Sequence, residues 1–333
     1  MPDVTISRRM DARGVMGMVA CCLLWGGNAV AVKFATPDLP PLGCAAIRFL
    51  IGLPVVALAC RALGDSPWVG RPLWGLLGLH GVLSAVQITM FNGGVNLSEA
   101  GRSSVFINIH PLVVAPLAWL FLGERLGARG RFGLGSSAFG VLILLAEPMR
   151  RGGGLVGDLI VLGSGVVFGV QTIAQKKTFP LIPPATLLFA QSLVAIPLVF
   201  LLSLMFEGLD RYHLTRHAVW GVMYQGVGVS GVCFTLWILL LRRYPAGRLA
   251  TLSFLTPLFG VGLGHLTRGE PLTLGLIVGG CLVGLGIYLV ASDREPVGRG
   301  GLARSQPGAS EGYWRLGSCS RRCKLFQGGY DGP

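Results

Sequence analysis

Long apolar stretches separated by short polar segments occupy most of the chain. Ten of these stretches have roughly the 20 residues that an α-helix needs to cross the apolar core of a bilayer. They cover residues 15–35, 42–61, 72–92, 100–122, 131–147, 156–175, 185–206, 217–240, 246–266 and 272–291. The pattern predicts an all-α membrane protein with ten transmembrane helices joined by short loops.

The two halves of the chain carry the same small set of residues at fixed spacings of 146 and 143 residues. The matches are Ala100-Gly101-Arg102, Pro111 and Gly123-Glu124 with Ala246-Gly247-Arg248, Pro257 and Gly269-Glu270, and Gly26, Pro41 and Arg48 with Gly169, Pro184 and Gln191. Because each half contains five predicted spans, an odd number, the second copy should cross the membrane in the opposite direction. We therefore expect two inverted five-helix repeats, residues 15–147 and 156–291. Such repeats enclose a solute site near the midplane and give alternating access.

Charge is scarce within the spans and strongly biased between the loops. The 333 residues are 52% hydrophobic and 13% charged, with a formal net charge of +13. With the N-terminus in the cytoplasm, twenty Lys and Arg residues fall on the cytoplasmic side and five on the other, which is the bias that orients membrane proteins. The sequence predicts a multi-pass protein of the cell membrane with a cytoplasmic N-terminal segment, 1–14, and a disordered cytoplasmic tail, 292–333. Topology and contact with the lipid bilayer explain the positive charge, so nucleic acid is not an expected partner.

The sequence gives no sign of a cofactor, a metal or a catalytic cluster. Six of the eight cysteines lie within apolar spans, and the pair Cys319 and Cys323 lacks the second ligand pair of a structural zinc site. An intramembrane enzyme would need a nucleophile, paired carboxylates or a metal cluster within the spans, so we do not expect an enzyme. Small residues on spans five and ten predict close helix contacts within one chain, and the expected state is a monomer or weak homodimer.

Polar residues at membrane depth are the candidates for contact with a solute, because each must find a partner in the protein or in water. Asn28 and Gln171 occupy matching positions in the two repeats and either contact a solute or join neighbouring helices. Arg48 lies two turns into span two, where a cation costs about 2.5–3.5 kcal/mol. It either binds a carboxylate or phosphate or holds helix ends together.

Prolines and acidic residues add two further expectations. Pro111 and Pro257 lie near the middle of spans four and nine, where each removes a helical hydrogen bond, and paired kinks that act as hinges are favoured over tolerated packing kinks. The acidic residues fall in loops or at span ends, and Glu124 and Glu270 are expected to cap the helices that follow them. A proton-driven exporter of cations generally uses a buried carboxylate, so neutral, zwitterionic or anionic cargo is favoured.

Several motifs resemble the EamA-type transporters of the drug/metabolite transporter superfamily. They are Leu24-Trp25-Gly26-Gly27-Asn28 with Lys33, Ile47-Arg48-Phe49-Leu50, and the stretch from Pro111 to Leu126. The resemblance covers residues 15 to 291 and implies ten helices in two repeats and the export or facilitated movement of small metabolites. The second half is looser, with Phe168-Gly169 in place of Trp-Gly and Gln191 in place of the arginine.

These patterns predict a transporter that moves a small metabolite, an amino acid or a similar solute, by alternating access, with efflux as the expected direction. The alternatives are a non-transporting membrane scaffold or sensor and a proton-coupled drug exporter. The candidate substrate-binding residues are Trp25, Asn28, Arg48, Gln87, Asn108, His110, Gln171, Gln191, Tyr224 and Gln225, and the candidate hinges are Pro111 and Pro257.

Overall fold

The helices of the protein follow the apolar stretches of its sequence. A computed structural model describes residues 10–123, 127–151, 154–253 and 255–291, all of which belong to one compact unit. Its α-helices are α1 (Ala12–Ala35), α2 (Pro41–Ala62), α3 (Trp74–Leu97), α4 (Ala100–Phe106), α5 (His110–Leu122), α6 (Ala128–Arg151), α7 (Leu155–Thr178), α8 (Pro184–Phe206), α9 (Arg216–Met223), α10 (Phe234–Arg243), α11 (Ala246–Leu252), α12 (Leu255–Arg268) and α13 (Leu274–Ala291). The predicted tail and most of the predicted N-terminal segment lie outside the described residues.

Eight continuous helical runs in the described residues are long and apolar enough to cross a membrane. They coincide with predicted spans one to four and six to nine. Predicted span five is α6, and predicted span ten is α13, whose apolar stretch Leu274–Gly286 is shorter. The prediction of an all-α, multi-pass membrane fold is confirmed.

The first helix begins three residues earlier than predicted. The Asp11 side chain accepts a hydrogen bond of 2.8 Å from the Gly14 amide, which satisfies one of the free N–H groups at the start of α1. The Tyr244 hydroxyl donates to the same carboxylate over 2.5 Å. Together, the hydrogen bond from Tyr244 and that from the Gly14 amide lower the pKa of Asp11. A polar residue before the apolar stretch is thus part of the helix end.

Predicted spans four and nine are interrupted helices. A 3₁₀ turn, Ile107–Ile109, separates α4 from α5, and Pro111 lies in the first turn of α5, where a missing N–H leaves no hydrogen bond unmade. Similarly, α11 ends at Leu252 and Pro257 lies in the first turn of α12. The breaks therefore occur at matching places in the two halves, just before the prolines.

Two helices that are repeat counterparts, α6 and α13, pack against each other in antiparallel fashion. A Cβ added at Gly140 would lie 2.6 Å from the Gly279 carbonyl oxygen, and one added at Gly286 would lie 2.3 Å from the Gly133 carbonyl oxygen. Each glycine early in one helix meets a glycine late in the other. The two contacts are related by the 146-residue offset, so the same kind of close approach occurs twice along this helix pair.

The counterparts α2 and α8 are also antiparallel, and a carboxylate joins their ends. Glu207, which follows α8, accepts hydrogen bonds of 2.9 and 3.1 Å from the Leu42 and Gly43 amides at the start of α2. These amides have no partner within the helix itself, and the helix dipole favours a negative charge there. The end of α8 therefore lies beside the beginning of α2.

Glu270 has the same kind of role, but not for the helix that the sequence suggested. Its two carboxylate oxygens accept from the Ala100 and Gly101 amides at the start of α4, at 2.8 and 2.7 Å. The expectation that Glu270 caps the helix following it is therefore wrong, because the free amides within its reach belong to the other repeat. Glu124 lies outside the described residues.

Close backbone contacts interleave the two halves around the centre of the molecule. Gly26 of α1 approaches α12, where an added Cβ would lie 3.1 Å from the Thr256 carbonyl oxygen. Its counterpart, Gly169 of α7, approaches α5, where an added Cβ would lie 3.1 Å from the His110 carbonyl oxygen. Both sites need glycine, and they bring α1, α5, α7 and α12 together.

Candidate functional site

A central cavity lies where these four helices meet α2, α3 and α10. Its wall combines one arginine, three amides and a histidine with apolar side chains. The lining residues are Trp25, Asn28, Arg48, Gln87, Ile88, Phe91, Ile107, Asn108, His110, Phe168, Phe234 and Thr256. The cavity has a volume of about 50 Å³, well below the roughly 300 Å³ of a small ligand pocket.

Arg48 is the cation of this cavity and is completely buried. Its Nε donates to the Ser230 hydroxyl over 2.9 Å, and its Nη1 donates to Asn28 Oδ1 over 3.3 Å. Its Nη2 has no hydrogen-bond partner within the described residues, and none of their carboxylates pairs with it. The guanidinium is held in place by neutral groups, and both N–H groups of its Nη2 remain available.

The break in span four presents two of the predicted polar residues to the cavity. Asn108 lies in the 3₁₀ turn, and its amide nitrogen donates to the Ser104 carbonyl over 2.6 Å, which leaves its side-chain oxygen free for other partners. His110 begins α5, and its Nε2 lies 3.1 Å from the Ser253 hydroxyl in the turn that interrupts span nine. The two helix breaks therefore touch each other beside the cavity.

Aromatic rings form one wall of the cavity. The Trp25 ring packs edge-to-face on Phe168, Phe234 and Trp237, with centroid separations of 5.8, 6.0 and 5.1 Å. His110 also stacks edge-on against Phe168 at 4.9 Å. Such a wall favours contact with the apolar part of a solute.

A second, smaller chamber lies on the other side of this wall. It offers about 20 Å³ to water centres and is lined by Phe49, Ser84, Gln87, Phe168, Gln171, Gln175, Leu188, Gln191, Phe234, Trp237 and Ile238. Gln171 donates to the Ser84 hydroxyl over 2.6 Å, and Gln175 donates to Gln191 Oε1 over 3.1 Å. Three side chains, Gln87, Phe168 and Phe234, belong to both walls. Asn28 and Gln171, although repeat counterparts, line different chambers.

Two of the predicted candidates lie away from both chambers. The Tyr224 hydroxyl donates to the Leu24 carbonyl over 2.9 Å, and the Gln225 amide nitrogen contacts Cys44 Sγ at 3.3 Å. Both residues begin a π-helix, Tyr224–Cys233, which joins α9 to α10 and also carries Ser230, the partner of Arg48. This π-helix contributes to the site because its Ser230 accepts a hydrogen bond from Arg48. π-Helical turns are frequent at functional sites.

Neither chamber is lined by a carboxylate in the part of the chain that the structure describes. The buried Asp158, in the first turn of α7, pairs instead with Arg102 and accepts a hydrogen bond from Ser98. Among the described residues no cluster of three or more His, Cys, Asp or Glu side chains could hold a metal ion. Among the described residues that line the two chambers, Arg48 is therefore the only charged side chain, and it gives the site a positive charge.

Some lining residues were not among the sequence candidates, although the repeat contained a signal for two of them. Phe168 lies 143 residues after Trp25, and Thr256 lies 146 residues after His110. Each of these two residues is the repeat counterpart of a candidate. Extending every candidate to its counterpart would have found both.

Comparisons with known proteins agree with this architecture. The EamA-like transporter family matches residues 12–146 and 155–292. The uncharacterized transporter YoaV of Bacillus subtilis is 23% identical over 83% of this chain and 95% of its own length. A protein of Escherichia coli named a probable amino-acid metabolite efflux pump is 27% identical over 83% of this chain and 93% of its own length. One solved crystal structure, 21% identical, matches 84% of this chain and 96% of its own with a TM-score of 0.67, which indicates a shared fold. With both halves matched, the chain belongs to the EamA-like transporter family.

Proposed function

We propose that this family member exports a small metabolite carrying a carboxylate, an amino acid or a similar solute, by alternating access. The observation that carries the proposal is Arg48, which is buried beside the central cavity with an unpartnered Nη2 and no carboxylate partner among the described residues. A buried cation without a counter-ion is expensive within a membrane. A solute carboxylate would supply both the missing charge and the missing acceptor.

The chemistry of the cavity favours anionic and zwitterionic solutes over cations. A guanidinium binds a carboxylate through two parallel hydrogen bonds. Asn28, Gln87 and Asn108 add neutral hydrogen-bonding groups, and Trp25 adds an apolar surface. A cationic drug would face Arg48 with no carboxylate nearby in the described wall, so proton-coupled drug export is the weaker alternative.

The proposal includes ten membrane-crossing helices in two inverted repeats, with both termini in the cytoplasm. The antiparallel packing of α2 on α8 and of α6 on α13 supports the inversion, since counterparts that lie antiparallel cross the membrane in opposite directions. Pro111 and Pro257 would be the hinges, because each follows a helix break and the two breaks touch through His110 and Ser253. Rocking of one repeat on the other would then open the cavity to each side in turn.

Efflux of an amino-acid metabolite is the proposed direction and cargo. The relative from Escherichia coli carries that name, and a second relative with the same name, from Salmonella typhimurium, is 27% identical over 80% of this chain. A scaffold or sensor would need neither a buried arginine beside a polar cavity nor helix breaks at matching places in the two halves.

The test is solute counterflow in proteoliposomes made with the purified full-length protein. A panel of amino acids, other carboxylates, nucleobases and sugars should reveal transport of one or more carboxylates. Arg48→Gln should reduce that transport by about tenfold to a hundredfold, the value of a hydrogen bond to a charged group. Lys33→Gln is the matched control, because Lys33 is also a cation within a span but donates to the Asn96 carbonyl and lines neither chamber.

Size-exclusion chromatography in detergent would show that both variants are folded. Carboxylate transport at the wild-type rate by a folded Arg48→Gln protein would refute the proposal. Absence of transport for the whole panel would favour a scaffold or sensor, and cation-for-proton exchange would favour the drug exporter.

A further inference from the structure

The glutamine-lined chamber contains a buried hydrogen-bond acceptor that no described residue satisfies. Gln175 is 4% exposed and donates through Nε2 to Gln191, but its own Oε1 accepts no hydrogen bond. A buried amide oxygen left without a donor destabilises a protein unless something else supplies one. An N–H or O–H group bound in the chamber would satisfy this oxygen.

The central cavity has the complementary deficit. Nη2 of Arg48 needs an acceptor, whereas Oε1 of Gln175 needs a donor. The two chambers share Gln87, Phe168 and Phe234, so little more than two rings and one amide separates them. A single solute that lay across both chambers would satisfy both atoms.

The arrangement of the two chambers sets the shape of such a solute. Arg48 lines only the central cavity and Gln175 only the glutamine-lined chamber, and the rings of Phe168 and Phe234 belong to both walls. The amino group next to a carboxylate would stay beside Arg48, so the donor must lie at the far end of the molecule.

We propose that the glutamine chamber is a second binding site on the solute path, taking an uncharged hydrogen-bond donor at the far end of an extended carboxylate that Arg48 holds. The rings of Phe168 and Phe234, whose centroids are 6.4 Å apart, would contact the apolar middle of the solute. A ureido or hydroxyl group fits the amide surroundings, whereas a second charge would meet no ionic partner among the described lining residues. The inference rests on the proposed carboxylate transport and adds the second point of recognition.

The position of this chamber makes it part of a path rather than an isolated void. Gln175 lies near the end of α7, and the next residue, Lys176, donates to the Tyr244 carbonyl over 2.6 Å. Tyr244 in turn contacts Asp11 at the start of α1. The glutamine chamber is therefore on the side of the central cavity that faces the N-terminus, which is the side from which an exported solute would enter.

The experiment compares two probes of equal side-chain length in proteoliposome counterflow. L-citrulline ends in a ureido donor, and S-butyl-L-cysteine ends in a methyl group. We expect wild-type protein to transport citrulline at least about threefold faster than the apolar analogue at low concentration, since one neutral hydrogen bond is worth about threefold to tenfold. Gln175→Met, which keeps the length of the side chain, should abolish this preference by slowing the transport of citrulline more than that of S-butyl-L-cysteine.

Gln225→Met is the matched control. Gln225 is equally buried and its Oε1 also lacks a partner in the described residues, but it lines neither chamber. It should retain the preference for citrulline. Equal transport of the two probes by wild-type protein, or an equal slowing of both by Gln175→Met, would overturn the inference. Either result leaves the proposed function standing as long as the protein transports carboxylates and Arg48→Gln slows that transport.

Discussion

The contact between α6 and α13 should be sensitive to a single methyl group. In Gly286→Ala the new Cβ would lie 2.3 Å from the Gly133 carbonyl oxygen and 2.1 Å from Ser137 Oγ, more than 1 Å inside the 3.4 Å of ordinary contact. The helices must separate, which costs about 1–3 kcal/mol in strained packing. Separation also breaks the hydrogen bonds that Ser136 and Ser137 donate to α13 carbonyls, at 3.0 and 3.4 Å, each worth about 0.6 kcal/mol between membrane helices. We expect the free energy of unfolding to fall by roughly 2–4 kcal/mol.

Unfolding of the purified protein in mixed detergent micelles, followed by tryptophan fluorescence, measures this change. Gly280→Ala on the same helix is the control, because an added Cβ there meets no described atom within 4 Å, and it should be neutral or slightly stabilising. Gly140→Ala, 2.6 Å from the Gly279 carbonyl oxygen, should lose nearly as much stability as Gly286→Ala, since the two contacts are repeat counterparts. Wild-type stability of Gly286→Ala, or equal losses at positions 280 and 286, would refute the close antiparallel packing.

Three further outcomes are expected. Replacing Pro111 and Pro257 together with alanine should slow counterflow while leaving the yield of folded protein unchanged, and an unaltered rate would remove their role as hinges. Asp158→Asn, which removes the buried carboxylate that pairs with the partly buried Arg102, should lower the free energy of unfolding by about 3 kcal/mol, and wild-type stability would contradict the pairing. The hydrogen bond from Tyr244 lowers the pKa of Asp11 from 3.8, so its stabilising effect is present above that value and is lost as the pH falls through the lowered pKa. The melting temperature of wild-type protein should therefore fall more steeply below about pH 4 than that of Asp11→Asn, and parallel profiles would exclude this role.

The helices and Arg48 could be predicted from the sequence because each has a clear local signal in the order of residues. An apolar run of the right length can hardly be anything but a span, and a charge inside such a run, as at Arg48, is rare enough to attract notice. Phe168 and Phe234 do not stand out in this way. A helix surrounded by protein and lipid is apolar on all sides, so the pattern does not tell which aromatic residue faces the cavity.

Gln175 was missed for a different reason. Predicted span six ended at this residue because Lys176 and Lys177 follow it, and lysines usually mark the edge of the bilayer. In the structure α7 continues to Thr178, and Lys176 is satisfied by the Tyr244 carbonyl. Tyr244 is 68 residues away in the sequence, so the residues around Lys176 do not indicate this hydrogen bond or the true end of the helix.

The π-helix, Tyr224–Cys233, likewise depends on packing rather than on local sequence. Added Cβ atoms at Gly226 and Gly231 would lie 2.6 and 2.7 Å from the Cβ atoms of Ile51 and Val55 in α2. Glycine permits this approach, and the approach brings Ser230 within reach of Arg48. No periodicity of apolar residues distinguishes such a segment from an ordinary helix.

Duplication has given the two halves similar backbones but not the same chemistry. At matching positions the first half has Arg48 and the second has Gln191, and these buried side chains line neighbouring chambers. A charge in both halves would hold an anionic solute at two depths, whereas a path must also let the solute leave. Under the proposed carboxylate transport, an arginine in one half and an amide in the other would allow firm binding at one depth and release past a neutral surface at the other. In a homodimer of single repeats, both subunits would carry the same residue at this position. Because one chain contains both repeats, the two positions can differ, and the residue for binding can change without changing the residue for release.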